Sequence, residues 1–298
     1  MTLQQLRYLL IVAEVGSITE AAKTLYLSQP SLSEAIKEIE QEIGICIFTR
    51  GRKGIAPTKE GIEFLGYARQ VVQQMELLES KYKSNKAPKQ RFCVSTQHYT
   101  FTANAFVELV KSFGQEHFEF ILNETSTYQI IEDVRNRFSD IGILYISNEN
   151  RNILKKVLEK NGLEFHKLFS ASPHVFLHKD HPLANHTMVN LEDLQPYPKL
   201  SFVQGNYESA YFSEELFSSI PAEKNIKVSD RAAIVNFMIG LNGYTISSGI
   251  FPKYLHGDEI IAIPLNEQEI MHIGYIINKD QMLSELAQIY IEALRKYR

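Results

Sequence analysis

Residues 16–44 read GSITEAAKTLYLSQPSLSEAIKEIEQEIG, and this stretch constrains the fold more than any other. Gly16 closes a first helix whose apolar face is Leu3, Leu6, Leu9, Leu10 and Ala13. Ser17-Ile18-Thr19-Glu20 has capping-box spacing, with a hydroxyl for the N3 amide and a carboxylate that reaches back. The second helix, Ile18 to Leu25, turns Ala21, Ala22 and Leu25 inward, and the two alanines let a neighbouring helix approach closely. After a short turn at Tyr26-Leu27, Ser28 caps a third helix. Pro30 sits in its first turn, where the missing N–H costs nothing. Leu32, Ala35, Ile36 and Ile39 face inward, and Gly44 ends the helix. This spacing predicts two helices joined by a tight turn, the second starting with the short polar groups Ser28, Gln29, Ser31 and Ser33. Such a helix start can enter a major groove and donate to base edges or phosphates, and its amides add phosphate donors.

The segment IGICIFTRGRKGIAPT follows, two short apolar runs around a Gly-rich basic tip, which predicts a β-hairpin. Arg50, Arg52, Lys53 and Lys59 fall within ten residues that hold no acid before Glu60. From Thr58 a long helix is expected to about Lys83. Phe64, Ala68, Val71, Met75, Leu78 and Tyr82 recur on it with heptad spacing. Such a stripe either packs on its own domain or pairs with a second copy. A helix standing between two domains needs something to bury its stripe, so dimerisation is the expectation. Ser84-Asn85-Lys86-Ala87-Pro88-Lys89 is a polar, Pro-containing linker.

Beyond the linker the pattern becomes alternating strands and helices. RFCVST, FEFILNET, DIGILYI, HKLFS, HVFLH, KLSFV, AEKNIKVS and GYTISS read as strands. FTANAFVELVKSFG, STYQIIEDVRNRF, RAAIVNFMIGLNG and LSELAQIYIEALRKY read as helices. The alternation predicts an α/β fold with largely parallel sheets, whose ligands sit outside the carboxyl ends of strands. Three polar stretches fall at such ends: Ser95-Thr96-Gln97-His98-Tyr99-Thr100, Asn123-Glu124-Thr125-Ser126-Thr127, and Ser201 to Asn206, which includes Gln204. Hydroxyls and free amides there favour an anionic or carboxylate ligand, and His98 adds charge when protonated. Tyr145, at a strand end, lines the same cleft or simply packs.

Charge and cysteine usage narrow the function classes. Residues 1–90 hold 12 Lys and Arg against 10 Asp and Glu, and the remainder holds 19 against 25, so the net −4 hides an asymmetry. Local basic clusters, not net charge, supply phosphate contacts. The two cysteines, Cys46 and Cys93, lie in apolar surroundings and read as core thiols of a reducing compartment. The N-terminus lacks a basic n-region and a cleavage site, and no apolar run approaches the ~18 residues of a membrane span, so the cytoplasm is the expected location. His174, His178, His181 and His186 crowd together. On a strand, however, the first two stand about 13 Å apart, too far for one ion. No metal, cofactor or catalytic residue is expected: G-x-S-x-G, P-loop and strand–G-x-G-x-x-G–helix patterns are absent.

The segment AAKTLYLSQPSLSEAIKEIEQEIGICIFTRGRKGIAPTKEG resembles the winged helix-turn-helix of the LysR-type transcriptional regulators. KDHPLA (179–184), VNLEDL (189–194) and SDRAAIVNFMIGLNGYTISS resemble later parts of the same family. APTKEG lacks the Leu the family usually places before the Thr, and Ile39 replaces a common Leu; both changes are conservative for packing. The resemblance implies an all-α winged helix-turn-helix over 1–58, a linker and dimerisation helix over 59–88, and an effector-binding domain over 89–298. That last domain is expected to be shaped like a periplasmic binding protein, with one subdomain at about 89–165 plus 268–298 and the other at about 166–267. It further implies that Ser28, Gln29, Pro30, Ser31 and Ser33 match the recognition-helix start and that Arg50, Arg52 and Lys53 match the wing. Thr19 is expected at the DNA and Lys37 at a phosphate, while Thr58 is expected to cap the linker helix and touch the DNA backbone. Ser95, Thr96, Gln97, His98, Thr100, Thr125, Ser126, Tyr145 and Gln204 are the expected effector contacts. The stretch after the first strand is distantly similar to the ligand loop of the family's cysteine-metabolism regulators. Promoter DNA, a small-molecule effector, further copies in a dimer or tetramer, and RNA polymerase are the implied partners. A solute-binding module, or an enzyme built on residues 90–298, is the alternative.

Overall fold

The computed structural model describes residues 1–51, 54–83, 90–113, 117–205, 209–251 and 258–297, with the side chains of residues 50, 77 and 80–83 outside that description. They form two compact units: Met1–Arg91 with His117–Glu119 and Asn136–Phe138, and the rest of the chain. Among the described residues no helix is long and apolar enough to cross a membrane.

The first unit runs α1 (Leu3–Val15), α2 (Ile18–Thr24), α3 (Gln29–Ile43), β1 (Phe48–Gly51), β2 (Gly54–Pro57) and α4 (Lys59–Lys83). Gly16 and Gly44 end α1 and α3 in the left-handed region, where a side chain would be strained. The reciprocal capping box sits at Thr2 and Gln5, at the start of α1. At α2 the expected box is one-sided: Ser17 accepts from the Glu20 amide, but the Glu20 carboxylate turns to Lys23 at 2.8 Å. Leu6, Leu9, Val12, Ala21, Ala22, Leu32, Ile36 and Ile39 form one core with Ile47 and with Leu65, Ala68 and Val72 of α4. Ala35 stays at its margin, half-buried. β1 and β2 pair antiparallel as the predicted hairpin. Gly61 lets α4 press against the preceding loop, because a Cβ there would overlap the carbonyl of Ile47.

The second unit begins with β3 (Gln90–Thr96), α5 (Thr100–Phe113), β4 (Phe118–Glu124), α6 (Thr127–Arg135), β5 (Ile141–Ile146), α7 (Arg151–Lys160), β6 (Leu163–Ala171) and β7 (His174–His178). It continues with β8 (Lys199–Phe202), β9 (Asn225–Val228), α8 (Arg231–Leu241), β10 (Thr245–Ser247), β11 (Ile260–Pro264), β12 (Met271–Asn278) and α9 (Glu285–Arg295). One lobe holds a five-stranded sheet in the order β4-β3-β5-β12-β6; the other holds β10-β7-β11 and β8-β9. The expectation of largely parallel sheets is corrected. β3–β5 and β8–β9 are parallel, but β12 runs antiparallel to β5 and β6, and β7 runs antiparallel to β10 and β11. β12 enters the first sheet only after the chain has passed through the other lobe, by a connection from β11 that holds no helix, so no strand–helix–strand unit sets its direction. β11, β12 and α7 went unread in the sequence, although β12 is a central strand. Because β6 keeps its place in the first sheet through Ala171, the chain changes lobe at 171–174, past the expected residue 166.

Candidate DNA-reading surface and effector chamber

The start of α3 is exposed while its opposite face is buried, because Leu32, Ile36 and Ile39 commit that side to the core. Thr19, Ser28, Gln29, Pro30, Ser31 and Lys37 are exposed and Ser33 is half-buried. Ser28 caps the helix, accepting from the Ser31 amide at 3.2 Å, and its hydroxyl meets that of Ser31 at 2.7 Å. Gln29 Nε2 donates to Ser33 Oγ at 2.8 Å, so these two polar groups act as one unit on the surface. Thr58 caps α4 as expected, accepting from the Gly61 amide at 2.8 Å, and its hydroxyl donates to the Cys46 carbonyl at 2.6 Å. The backbone of Arg50 lies in β1, paired with Ile55. Arg52 and Lys53 lie outside the described residues. Tyr26 occupies the expected turn between α2 and α3, and what sequence reasoning missed is its left-handed φ of 55° and its 96% exposure. Sequence reasoning also missed Glu40, whose carboxylate accepts from the amides of Ile47 (2.6 Å) and Phe48 (3.0 Å) and ties the wing to α3.

On α4 the expected stripe divides between two faces. Ala68 belongs to the unit's own core, beside Leu65 and Val72, and Phe64 packs against its edge. Val71 and Leu78 are 52% and 55% exposed, and Met75 is half-buried. The Tyr82 side chain lies outside the described residues.

Between the two lobes of the second unit lies a chamber of about 450 Å³, within the range of small-molecule sites. Its walls are mainly apolar: Phe176, Phe202, Ile234, Met238, Ile246 and Ile260. His98 and Thr100 reach it from the first lobe, and Glu214, Glu215 and Arg231 from the second. The His98 ring stacks on Phe202, centroids 3.9 Å apart and tilted by 7°. Its Nδ1 lies 2.9 Å from Glu214 Oε2, and its backbone N–H donates to the same oxygen at 2.7 Å. Gln204 Nε2 donates to Glu214 Oε1 at 3.1 Å, and the Thr127 amide donates to Gln204 Oε1 at 3.2 Å. Arg231 pairs with Glu124 through two contacts of 2.7 and 2.9 Å. Burial alone would lower the His98 pKa, but the hydrogen bond and charge of Glu214 outweigh it and hold the imidazole above its usual value. Burial, reinforced by the charge of Glu214, pushes Glu215 up to about 7, although Ser213 and the Phe202 amide donate to it.

The other residues expected at the effector turn elsewhere. Ser95 donates to Asp133 at 2.6 Å and meets Ser139 at 2.8 Å in a buried web behind β3. The Thr96 hydroxyl donates to the Gln97 carbonyl. Gln97 is fully engaged by Thr127, Tyr99 and the Tyr145 amide. Thr125 gives its amide to the Thr96 carbonyl, and Ser126 accepts from the Gln129 amide. Tyr145 is a core residue whose hydroxyl donates to the Glu215 carbonyl. Only His98 and Thr100 of the expected set line the chamber, with Gln204 one hydrogen bond behind Glu214. The second-lobe lining went unread because Glu214, Glu215 and Arg231 sit amid loops and helix starts that carry no strand-end signature. Of the clustered histidines, His174 meets the Ser172 carbonyl, His178 pairs with Glu259, His181 meets the Asn242 carbonyl and His186 the Leu183 carbonyl.

Comparison with known proteins fits this anatomy. Residues 3–62 match the bacterial regulatory helix-turn-helix model of the lysR family, and residues 88–298 match the LysR substrate binding domain. The chain is 31% identical over 218 residues to the uncharacterized HTH-type transcriptional regulator YvbU of Bacillus subtilis, covering 71% of this chain and 69% of that one. It is 30% identical over 209 residues to the HTH-type transcriptional regulator CysB of Burkholderia cenocepacia, covering 68% and 63%. A full-length OxyR variant from Pseudomonas aeruginosa shares the fold, with a TM-score of 0.67 at 18% identity over 99% of this chain and 95% of that one. A winged helix-turn-helix followed by a two-lobed α/β unit, each matched by its own family model, identifies the chain as a DNA-binding transcriptional regulator of the LysR family.

Proposed function

We propose that this regulator reads promoter DNA through the start of α3 and the β1–β2 wing, and that a small molecule held in the chamber of the second unit controls it. The observation that carries the first half is the polar, exposed first turn of α3 above a face fully committed to the core. Gln29 with Ser33 reads base edges. Ser31, Thr19, Lys37 and the wing residues Arg50, Arg52 and Lys53 hold the backbone, while Ser28, Pro30 and Thr58 shape the elements. Tyr26 joins the DNA-facing set. Val71 and Leu78, with Met75 between them, pair α4 with a second copy, and a dimer or tetramer then spans paired half-sites. The chamber binds its effector without turning it over. The protein works in the cytoplasm, with RNA polymerase a further partner at the promoter. Effector binding changes how the two lobes close, and with it the half-sites bridged and the bend imposed on DNA.

The test is a gel shift of the purified protein on its own upstream intergenic DNA, at about 50 mM and about 200 mM salt. Gln29→Ala and Ser33→Ala are each expected to weaken specific binding by about 1–3 kcal/mol, while Lys37→Ala weakens all sequences alike and lowers the salt slope by about 1. No shift at the lower salt, or equal loss on specific and unrelated DNA for Gln29→Ala, overturns this reading.

A further inference from the structure

Two of the residues expected to hold an anionic effector, His98 and Gln204, do converge, but on a carboxylate of the chain itself. Three donors meet at one point: the His98 backbone N–H just ahead of α5, the His98 ring and Gln204 Nε2, at 2.7, 2.9 and 3.1 Å from Glu214 oxygens. Two come from the first lobe and one from the second. Charge-assisted donors gathered beside a helix N-terminus make an anion seat. Glu214 is 4% exposed there. Its neighbours fix it: Glu215 accepts from the Phe202 amide and the Ser213 hydroxyl, and Ser218 bonds both Ser213 and the Glu215 carbonyl. The other cation on the wall, Arg231, faces Glu124. What remains open is a chamber with predominantly apolar walls, next to a seat already filled.

We propose that Glu214 is a built-in ligand that occupies the anion seat, so that the chamber takes a neutral, largely apolar small molecule and rejects carboxylates. The proposal rests on the reading of this chamber as the effector site, and it names the chemical class that site accepts. A carboxylate entering beside Glu214 would meet its charge at close range, with the three donors of the seat already engaged, at a penalty that grows as water is excluded. A neutral molecule of the same shape incurs no such penalty and buries apolar surface against Phe176, Phe202, Ile234 and Met238. Truncating Glu214 to alanine reverses the logic. It leaves the three donors facing a gap the size of an acetate ion, the fragment removed.

The experiment uses the full-length chain and calorimetric titration with a shape-matched pair, 1-naphthylacetamide and 1-naphthylacetate. Wild type is expected to bind the amide at least about tenfold more tightly, the effect of one unfavourable charge contact. Glu214→Ala is expected to reverse that preference and to gain thermal stability in millimolar acetate. Glu214→Gln, which keeps the seat filled, gains nothing from acetate. Wild type that takes 1-naphthylacetate equally or more tightly, or takes neither probe, overturns the proposal whatever the variants do. A folded Glu214→Ala protein that ignores acetate overturns it as well. These readouts involve no DNA, so a failed gel shift sinks the promoter reading and leaves the ligand preference to be decided here.

Discussion

Tyr26 holds a left-handed backbone position in the turn of the helix-turn-helix, where glycine is the unstrained choice. Its amide bonds the Lys23 carbonyl, and the next amide reaches the Ala22 carbonyl, so the conformation is set by the end of α2. Nearly all of its ring is in solvent, so little packing offsets the strain. Tyr26→Gly is therefore expected to raise the stability of the first unit by up to about 1 kcal/mol in urea titrations while weakening the gel shift. Reduced stability would show that the ring packs. The turn and its residues were legible in the sequence; the left-handed backbone of Tyr26 was not, because LYL carries no glycine to mark that position. Glu215 shows the same limit in the second unit, since Phe202 and Tyr145, which bond it in space, lie 13 and 70 residues away. Its pKa is about 7 in the fold against 4.5 when free. The unfolded chain ionises first as pH rises, so the stabilisation is complete below 4.5 and lost by 7, about 3 kcal/mol in all. His98, also raised, contributes with the same sign. Glu215→Gln keeps the local shape without titrating. Its stability relative to wild type should rise by about that amount between pH 4.5 and 8, by urea titration followed by circular dichroism. Parallel pH slopes for the two proteins would refute the assignment.

At the scale of elements, the wing is held by carboxylate and hydroxyl rather than by apolar packing alone. Glu40 bonds two successive amides at the entry to β1, and Thr58 clamps the Cys46 carbonyl to the first turn of α4. Glu40→Ala strands both amides, and the first unit should lose about 2 kcal/mol. Glu40→Gln, which keeps an acceptor, should lose less than half of that; equal losses would mean that the charge, not the acceptor, holds the wing. α4 shows how an element can be legible while its faces are not. Its heptad spacing was visible in the sequence, but residues three and four apart sit on neighbouring faces. Ala68 and Val71 therefore looked like one stripe. The structure separates them, because Gly61 brings α4 against the core so that Leu65, Ala68 and Val72 are consumed there. What remains outward is Val71 and Leu78. Val71→Glu with Leu78→Glu should therefore shift the protein towards monomer in light scattering, leaving the first unit's melting unchanged, whereas Ala68→Glu should unfold that unit.

Across the second unit, the lobes are joined by side chains as well as by the two strand crossings. Glu214 meets His98, Gln204 meets the Thr127 amide, and Arg231 meets Glu124, each link running from the second lobe to the first. The sequence showed which residues lie at strand ends but not which lobe would answer them. Their partners lie between 77 and 116 residues away in the three cases. Alternation of strands and helices identified the α/β class, yet it could not show that β12 returns to the first sheet and closes it antiparallel to both neighbours. That return puts both crossings side by side in the chain's path and leaves side-chain links to set how firmly the lobes close. Arg231 and Glu124 are each about a quarter exposed, so their attraction is partly screened. A double-mutant cycle with Arg231→Met and Glu124→Gln should give a coupling of about 1 kcal/mol, followed by circular dichroism because the chain has no tryptophan. The same cycle repeated with saturating 1-naphthylacetamide tests the role of the latch. A ligand that favours closed lobes supplies part of the closing free energy itself, so the measured coupling should shrink when the chamber is filled. A coupling that is unchanged by ligand would place the ion pair outside the closure equilibrium and make it a fixed strut of the fold.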